Sequence, residues 1–170
     1  MTTPLQEALE KAPVRSASAK AAATRELFVF KLGEFTMALE SVHVREVTRS
    51  GPLTPLPRMP SYLLGVGGQR GEVLPVVDLL RFFSRGESTV TERTRLFICS
   101  HQSWTVAFVA DSVVGLQRFE EAKIFPAPVG GGDLPIEFLG GVLVGPKSSA
   151  IALLNLPRLL SAARTRAVSR

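Results

Sequence analysis

Residues Tyr62 to Phe83 read YLLGVGGQRGEVLPVVDLLRFF, and no other stretch restricts the fold as much. Leu63, Leu64 and Val66 form one apolar arm, Gly67-Gly68-Gln69-Arg70-Gly71-Glu72 a polar bend, and Val73, Leu74, Val76 and Val77 a second arm with β-branched bulk. Two such arms around a tight bend predict a β-hairpin. Pro75 has no backbone N–H to give to a ladder, so the second strand is expected at a sheet edge or at a bulge. Asp78 then stands where a helix N-cap belongs, ahead of Leu79-Leu80-Arg81-Phe82-Phe83.

The same order of elements recurs along the chain. Glu26 to Leu32 and Phe35 to Leu39 flank the turn Gly33-Glu34 and predict an opening hairpin. After Ser41, Val42, Val44 and Val47 interleave with His43, Arg45 and Glu46, a strand with one apolar and one charged face. Pro55, Pro57 and Pro60 stiffen the connector that leads into the central hairpin. Past a polar loop from Ser84 to Arg93, Arg95 to Cys99 and Trp104 to Ala110 form another hairpin, followed by a strand from Asp111 to Leu116. Pro126 and Pro128 stiffen a second connector, and Val129 to Leu134 reads as a mobile glycine-rich loop. A last hairpin spans Phe138 to Gly145 and Ser149 to Leu154. Asn155 stands before Leu156-Pro157-Arg158-Leu159-Leu160 as Asp78 stands before Leu79-Leu80. Hairpin, strand, proline connector, hairpin, cap and helix, traversed twice, predict a mainly β protein of two similar small barrels with short helices.

The ends differ from this body in composition. Residues 1–25 are rich in alanine with little bulk after Leu9, and are expected to be a mobile extension with at most a helical turn or two over residues 17–23. Leu156, Leu159 and Leu160 have the i, i+3, i+4 spacing of a packed helix face. Residues 163–170 lack such anchors and are expected to fray as a basic tail, leaving a folded domain over residues 26–162. The net charge of +5 resides in these ends, because the body from Leu27 to Leu156 holds as many acids as bases. A high isoelectric point of this origin does not describe a nucleic-acid-binding face. Cys99, the single cysteine, lies in the apolar run LFIC and excludes an internal disulfide. Met1 to Ala23 has no signal-like apolar stretch, and no apolar run approaches the roughly 20 residues needed to cross a bilayer. A cytoplasmic location is expected.

Gly65 to Leu79, GVGGQRGEVLPVVDL, resembles the signature of the CheW-like domain, in which an INLRG turn precedes a (V/I)(V/I)PV(V/I)DL strand and cap. The agreement covers Gly65, Arg70, Gly71, Pro75, Val76, Asp78 and Leu79, and the departure is Gly67-Gly68-Gln69 directly before the arginine. Weaker matches run from Phe30 to Val47 and over VADSVVGLQRF, so the resemblance extends from about Leu27 to Leu160. It implies two SH3-like five-stranded β-barrels joined pseudo-symmetrically, with a C-terminal helix and with the chain crossing between the barrels. It also implies a non-catalytic adaptor that couples the cytoplasmic tip of methyl-accepting chemoreceptors to a CheA-type histidine kinase, with membrane contact only through the receptors. On this resemblance, one barrel meets the kinase, and an apolar groove between the barrels receives the receptor. Val42, Val44 and Val47 with Phe108 and Val113 are then expected near the groove. Arg70 is the expected receptor-side polar contact, flanked by Gln69 and Glu72, while Gly65, Gly71, Asp78 and Asp111 serve as structural turns and caps.

The residues offer no competing chemistry. His43 and His101 are far apart in sequence, and neither has a ligand-type neighbour at metal-binding spacing, so no metal, cofactor or catalytic site is expected. Asp78 and Asp111 are better suited to capping and turn bonding than to a carboxylate pair. The glycine-rich bend fails as a dinucleotide fingerprint, since Arg70 replaces the last glycine and a strand follows. The alternative function is a small-barrel nucleic-acid-binding protein, which would interleave exposed aromatics with lysine and arginine on one sheet. Phe28, Phe30, Phe35 and Phe97 sit instead in core-like runs. A structural or polymer-forming adaptor differs from a coupling protein mainly in its partner.

Overall fold

The computed structural model describes residues 23–129 and 132–168, so most of the N-terminal extension, including its alanine-rich stretch, lies outside the described residues. Among the described residues, ten strands form two five-stranded sheets. In chain order they are β1 (Thr24–Leu32), β2 (Phe35–Glu40), β3 (Val44–Arg49), β4 (Leu63–Gln69), β5 (Glu72–Val77), β6 (Arg95–His101), β7 (Trp104–Ala110), β8 (Ser112–Glu120), β9 (Leu139–Val144) and β10 (Ala150–Leu154). Helix α1 (Leu79–Phe82) follows β5 and helix α2 (Leu156–Val168) follows β10. β1 begins two residues earlier than its apolar run, because Thr24 and Arg25 pair with Glu120 and Phe119 on β8, and Arg25 forms an ion pair with Glu40.

The sheet orders are β8-β1-β2-β10-β9 and β3-β6-β7-β5-β4. Each is a hairpin joined on one side by an antiparallel strand and on the other by a parallel strand that belongs to a second hairpin. The two are related strand for strand, with β1-β2 matching β6-β7 and β8, β9, β10 matching β3, β4, β5. Each sheet therefore takes its first hairpin from one half of the chain and its other three strands from the other half. Strand exchange makes the halves interdependent.

The side chains follow from this arrangement. Leu27 and Val29 of β1 pack with Leu143, Ile151 and Leu153 inside the first barrel. Their neighbours Phe28 and Phe30 join the larger core with the second sheet and both helices. Phe97 lies 4.5 Å from Phe30, 5.2 Å from Phe28 and 5.4 Å from Phe108, ring centre to ring centre. A strand buried on both faces is what the continuous run LFVF requires. The joint between the barrels is thus filled with aromatic rings.

Pro75 does not mark an edge, since β5 lies between β4 and β7. The parallel ladder to β7 is made by Val76 and Val77, just past the proline, and the register irregularity falls on β4 between Leu63 and Gly65. A proline is tolerated in an interior strand where pairing on one side has not yet begun. The loop from Val129 is pinned at its far end, because Leu134 is buried in the main core; residues 130–131 lie outside the described residues.

Two glycines at equivalent places have a steric reason. Thr54 bridges to β4 and Phe125 to β9. A Cβ on Gly65 (φ +143°) would lie 2.5 Å from the Thr54 carbonyl oxygen, and one on Gly141 (φ +154°) 2.9 Å from that of Phe125. Gly68, three residues along β4, has no atom within 4 Å of the same position. Gly65→Ala is expected to lower the urea midpoint clearly, and Gly68→Ala to leave it near the parent. Equal midpoints for the two variants would remove the steric account.

Candidate partner-binding surface

The β4–β5 turn is built from Arg70 and Gly71, with φ values of 49° and 81°. Two successive positive φ angles define a mirror-image turn whose twist suits a two-residue hairpin. Gly71 meets this demand without strain, whereas Arg70 occupies a conformation that costs a side-chain-bearing residue about 1–2 kcal/mol. The Arg70 side chain is 80% exposed, and its Nε lies 3.8 Å from Glu46 Oε1.

The turn rests against β3 at the opposite end of the sheet order. Gln69 Nε2 donates to Glu46 Oε1 at 2.8 Å, and Arg45 Nη1 is 3.6 Å from Glu72 Oε2. The first contact joins the edge strands β3 and β4 and the second joins β3 to the start of β5, so polar groups bridge the two ends of the sheet. The structure therefore brings Gln69, Arg70 and Glu72 together with Arg45 and Glu46. Neither of the last two was among the expected site residues, although their alternation with the valines was the available signal. The departure Gly67-Gly68-Gln69 leaves the register intact, since the three pair with Leu74, Val73 and Glu72. What it removes is two side chains beside the turn.

β3 is irregular between Val44 and Glu46: Val44 pairs with Cys99 and Val47 with Phe97, which puts these two valines on one face of the sheet, while Glu46 and Thr48, paired with Ile98 and Leu96, lie on the other. Val44 packs on the core, Val47 is 41% exposed, and Val42, in the 3-10 turn Ser41–His43, is 81% exposed. Phe108 is buried in the aromatic joint, and half-buried Val113 lies opposite Phe30 on β8. No described contact links either of them to Arg70.

An open apolar cleft lies elsewhere, between β5, β7 and α2. It encloses about 210 Å³ and is lined by Tyr62, Pro75, Val77, Trp104, Leu159 and Ala163 among others, with Phe108 at its floor. The Arg164 guanidinium lies over the Trp104 ring at 5.0 Å and borders it.

Asp78 and Asp111 occupy separate structural positions. Asp78 is fully buried and accepts from the backbone N–H groups of Leu80 at 3.0 Å and Ser88 at 2.7 Å. Asp111 Oδ2 accepts from Gly33 N at 2.8 Å, which fastens the β1–β2 turn to the start of β8. Burial pushes the Cys99 thiol well above its ordinary range, so it stays protonated and unreactive. Among the described residues, no group of three or more His, Cys, Asp or Glu is placed to hold a metal ion, and no helix is long and apolar enough to cross a membrane.

Against known proteins, residues 26–164 match the family model of the CheW-like domain. Protein FrzA of Myxococcus xanthus is 48% identical over 159 residues, which cover 94% of this chain and 99% of that protein. The probable chemotaxis protein CheW of Rhizobium etli is 31% identical over 137 residues, or 81% of this chain and 88% of that one. The crystal structure of the scaffolding protein TtCheW from Thermoanaerobacter tengcongensis superposes with a TM-score of 0.71 at 24% identity, covering 79% of this chain and 86% of that chain. This last likeness concerns the fold alone.

Proposed function

Since the chain belongs to the CheW-like domain family of chemotaxis scaffolding proteins, we propose that it is a non-catalytic adaptor joining a chemoreceptor's cytoplasmic tip to a CheA-type histidine kinase. It works in the cytoplasm and meets the membrane only through its receptor. The folded domain from residue 26 through α2 carries both contacts, and nucleic acid has no part in the function.

The observation that carries this reading is Arg70. An 80% exposed guanidinium is held in a costly backbone conformation at the tip of a closed hairpin, with one long contact to Glu46. Such a group adds about 0–1 kcal/mol to folding. At an interface it presents a planar fork for a partner's carboxylate. The exposed Val47 and Val42 supply apolar area on the neighbouring strand and turn. Phe28, Phe30, Phe97 and Phe108 are committed to the joint between the barrels and cannot stack on bases.

Calorimetry with purified kinase regulatory domain and receptor tip tests the proposal, with binding to both expected at tens of micromolar or tighter. Binding to neither would end the coupling role. Arg70→Glu should keep the far-UV spectrum and melting temperature of the parent while weakening receptor binding about tenfold or more. Its effect on kinase binding should be smaller. Parental receptor affinity in a normally folded variant would move the receptor surface to Val42 and Val47.

A further inference from the structure

The strand-for-strand match between the barrels extends to single residues, and it exposes a difference inside them. In β9 and β10, Gly141 pairs with Leu153 and Leu143 with Ile151; in β4 and β5, Gly65 pairs with Val76 and Gly67 with Leu74. Leu153 pairs onward with Ala38 and Val76 with Ala107. Gly67 therefore stands where the first barrel has Leu143. Val29 and Ile98 face those two alanines from β1 and β6, so Leu27 matches Leu96, and their edge-strand partners Gln117 and Thr48 match as well. Two residues further on, Ser50 stands where the first barrel has Phe119.

From this comparison we infer that the interior of the second barrel is a binding site for a compact, uncharged apolar molecule of the size of benzene to indole. In the first barrel Leu143 packs with Leu27, Val29, Ile151 and Leu153, and Phe119 closes over them. In the second, the same room is a cavity of about 270 Å³ walled by Leu53, Leu74, Val76, Leu96, Ile98 and Ala107. A cavity of about 150 Å³ lined by such side chains stays dry and takes up benzene. The space here exceeds that requirement.

The glycine that opens this space has no backbone reason to be one. Unlike Gly65, Gly67 is not at positive φ, and a Cβ on it would lie 3.3 Å from Leu53 Cδ2 and 3.6 Å from Val76 Cγ2, facing the cavity. A side chain here would point into the barrel as Leu143 does in the other. Exposed Arg49, Gly51, Pro52 and Gly68 also line the cavity, so it is open to solvent at that end. A ligand can enter without unfolding the barrel. No acid is among the lining residues and the one charge, Arg49, is on the exposed side, so a cationic ligand would be buried without a partner whereas an uncharged one meets apolar walls.

The test is a titration of the full chain, labelled with ¹³C at its methyl groups, with indole followed by NMR. Saturable shifts are expected for Leu74, Val76, Leu96 and Ile98 at about millimolar affinity or tighter, with the matching methyls of Ile151, Leu153, Leu27 and Val29 unmoved. The first barrel is the internal control. Gly67→Leu, which restores the arrangement around Leu143, should weaken indole binding about tenfold or more while the melting temperature stays at or above that of the parent. The methyl map of the unaltered chain decides the matter if that variant folds poorly. No shifts at millimolar indole, equal shifts in both barrels, shifts confined to the cleft beside α2 at Val106 and Leu159, or parental affinity in a folded Gly67→Leu chain would overturn the inference.

Discussion

Asp78→Ala should destabilise the fold by about 3–5 kcal/mol, whereas Asn155→Ala, at the matching cap of the other half, should cost only about 1 kcal/mol. Both residues precede a helix, and both have their own N–H bound to a carbonyl of the same relative position, Tyr62 for Asp78 and Phe138 for Asn155. Their surroundings differ. Asn155 Oδ1 accepts one bond, from Arg158 N at 3.1 Å. Asp78 is fully buried and accepts from Leu80 N, Ser88 N and, at 2.5 Å, Ser88 Oγ, while Arg81 Nε lies 3.3 Å from its Oδ2. One carboxylate thus caps α1, fastens the loop after it and holds a cation. Alanine would strand two backbone N–H groups and remove the buried carboxylate beside Arg81, which keeps Glu87 at 3.6 Å, and each stranded buried group costs about 1–3 kcal/mol. Urea unfolding of the two variants checks this, and similar midpoints would show that the buried network contributes no more than a simple cap.

The duplicated sequence grammar identified these caps, the hairpins and the short helices, because each is written in a few adjacent residues. The exchange of hairpins between barrels is not written locally. A strand such as LFVF announces burial on both faces without naming which sheet lies beyond each. Pro75 misled for the same reason, since its rule concerns neighbours that sequence does not supply. The valine pattern of β3 was readable, but not the irregularity between Val44 and Glu46, which keeps Val44 and Val47 on one face despite their three-residue spacing and places Glu46 on the other, next to Gln69 and Arg70. The histidine pair shows the limit most clearly. His43 and His101 are 58 positions apart in sequence, and antiparallel pairing of β3 with β6 brings their rings to 5.4 Å, centre to centre.

Removing Ala163 to Arg170 should cost about 3 kcal/mol, comparable to Leu160→Ala, whose loss of a buried side chain is expected to cost about 2–5 kcal/mol. Hydrophobic spacing alone predicts a frayed tail and no effect. The structure corrects this, for α2 continues to Val168, with only Ser169 and Arg170 outside the described residues. Its last turns are anchored by means that a hydrophobic pattern does not register. The Tyr62 hydroxyl donates to the Ala163 carbonyl at 2.7 Å. The Arg166 guanidinium lies 4.2 Å from the centre of Phe82 and 5.5 Å from that of Phe138, and its Nη1 donates to the Phe82 carbonyl at 3.1 Å. Arg164 covers Trp104 in the same manner. Contacts of an arginine with an aromatic face contribute about 0.5–2 kcal/mol each, and a hydrogen bond about 1 kcal/mol. The truncation would also leave a helix of about seven residues, too short to persist without its packing. Single substitutions separate the contributions: Arg166→Ala should account for more of the loss than Arg164→Ala, since only Arg166 combines two rings with a backbone acceptor. Thermal melts of the truncated chain, of these two variants and of Leu160→Ala provide the comparison. A truncated chain that melts with the parent would mean that the arginine contacts contribute nothing and that the domain ends at Ala162.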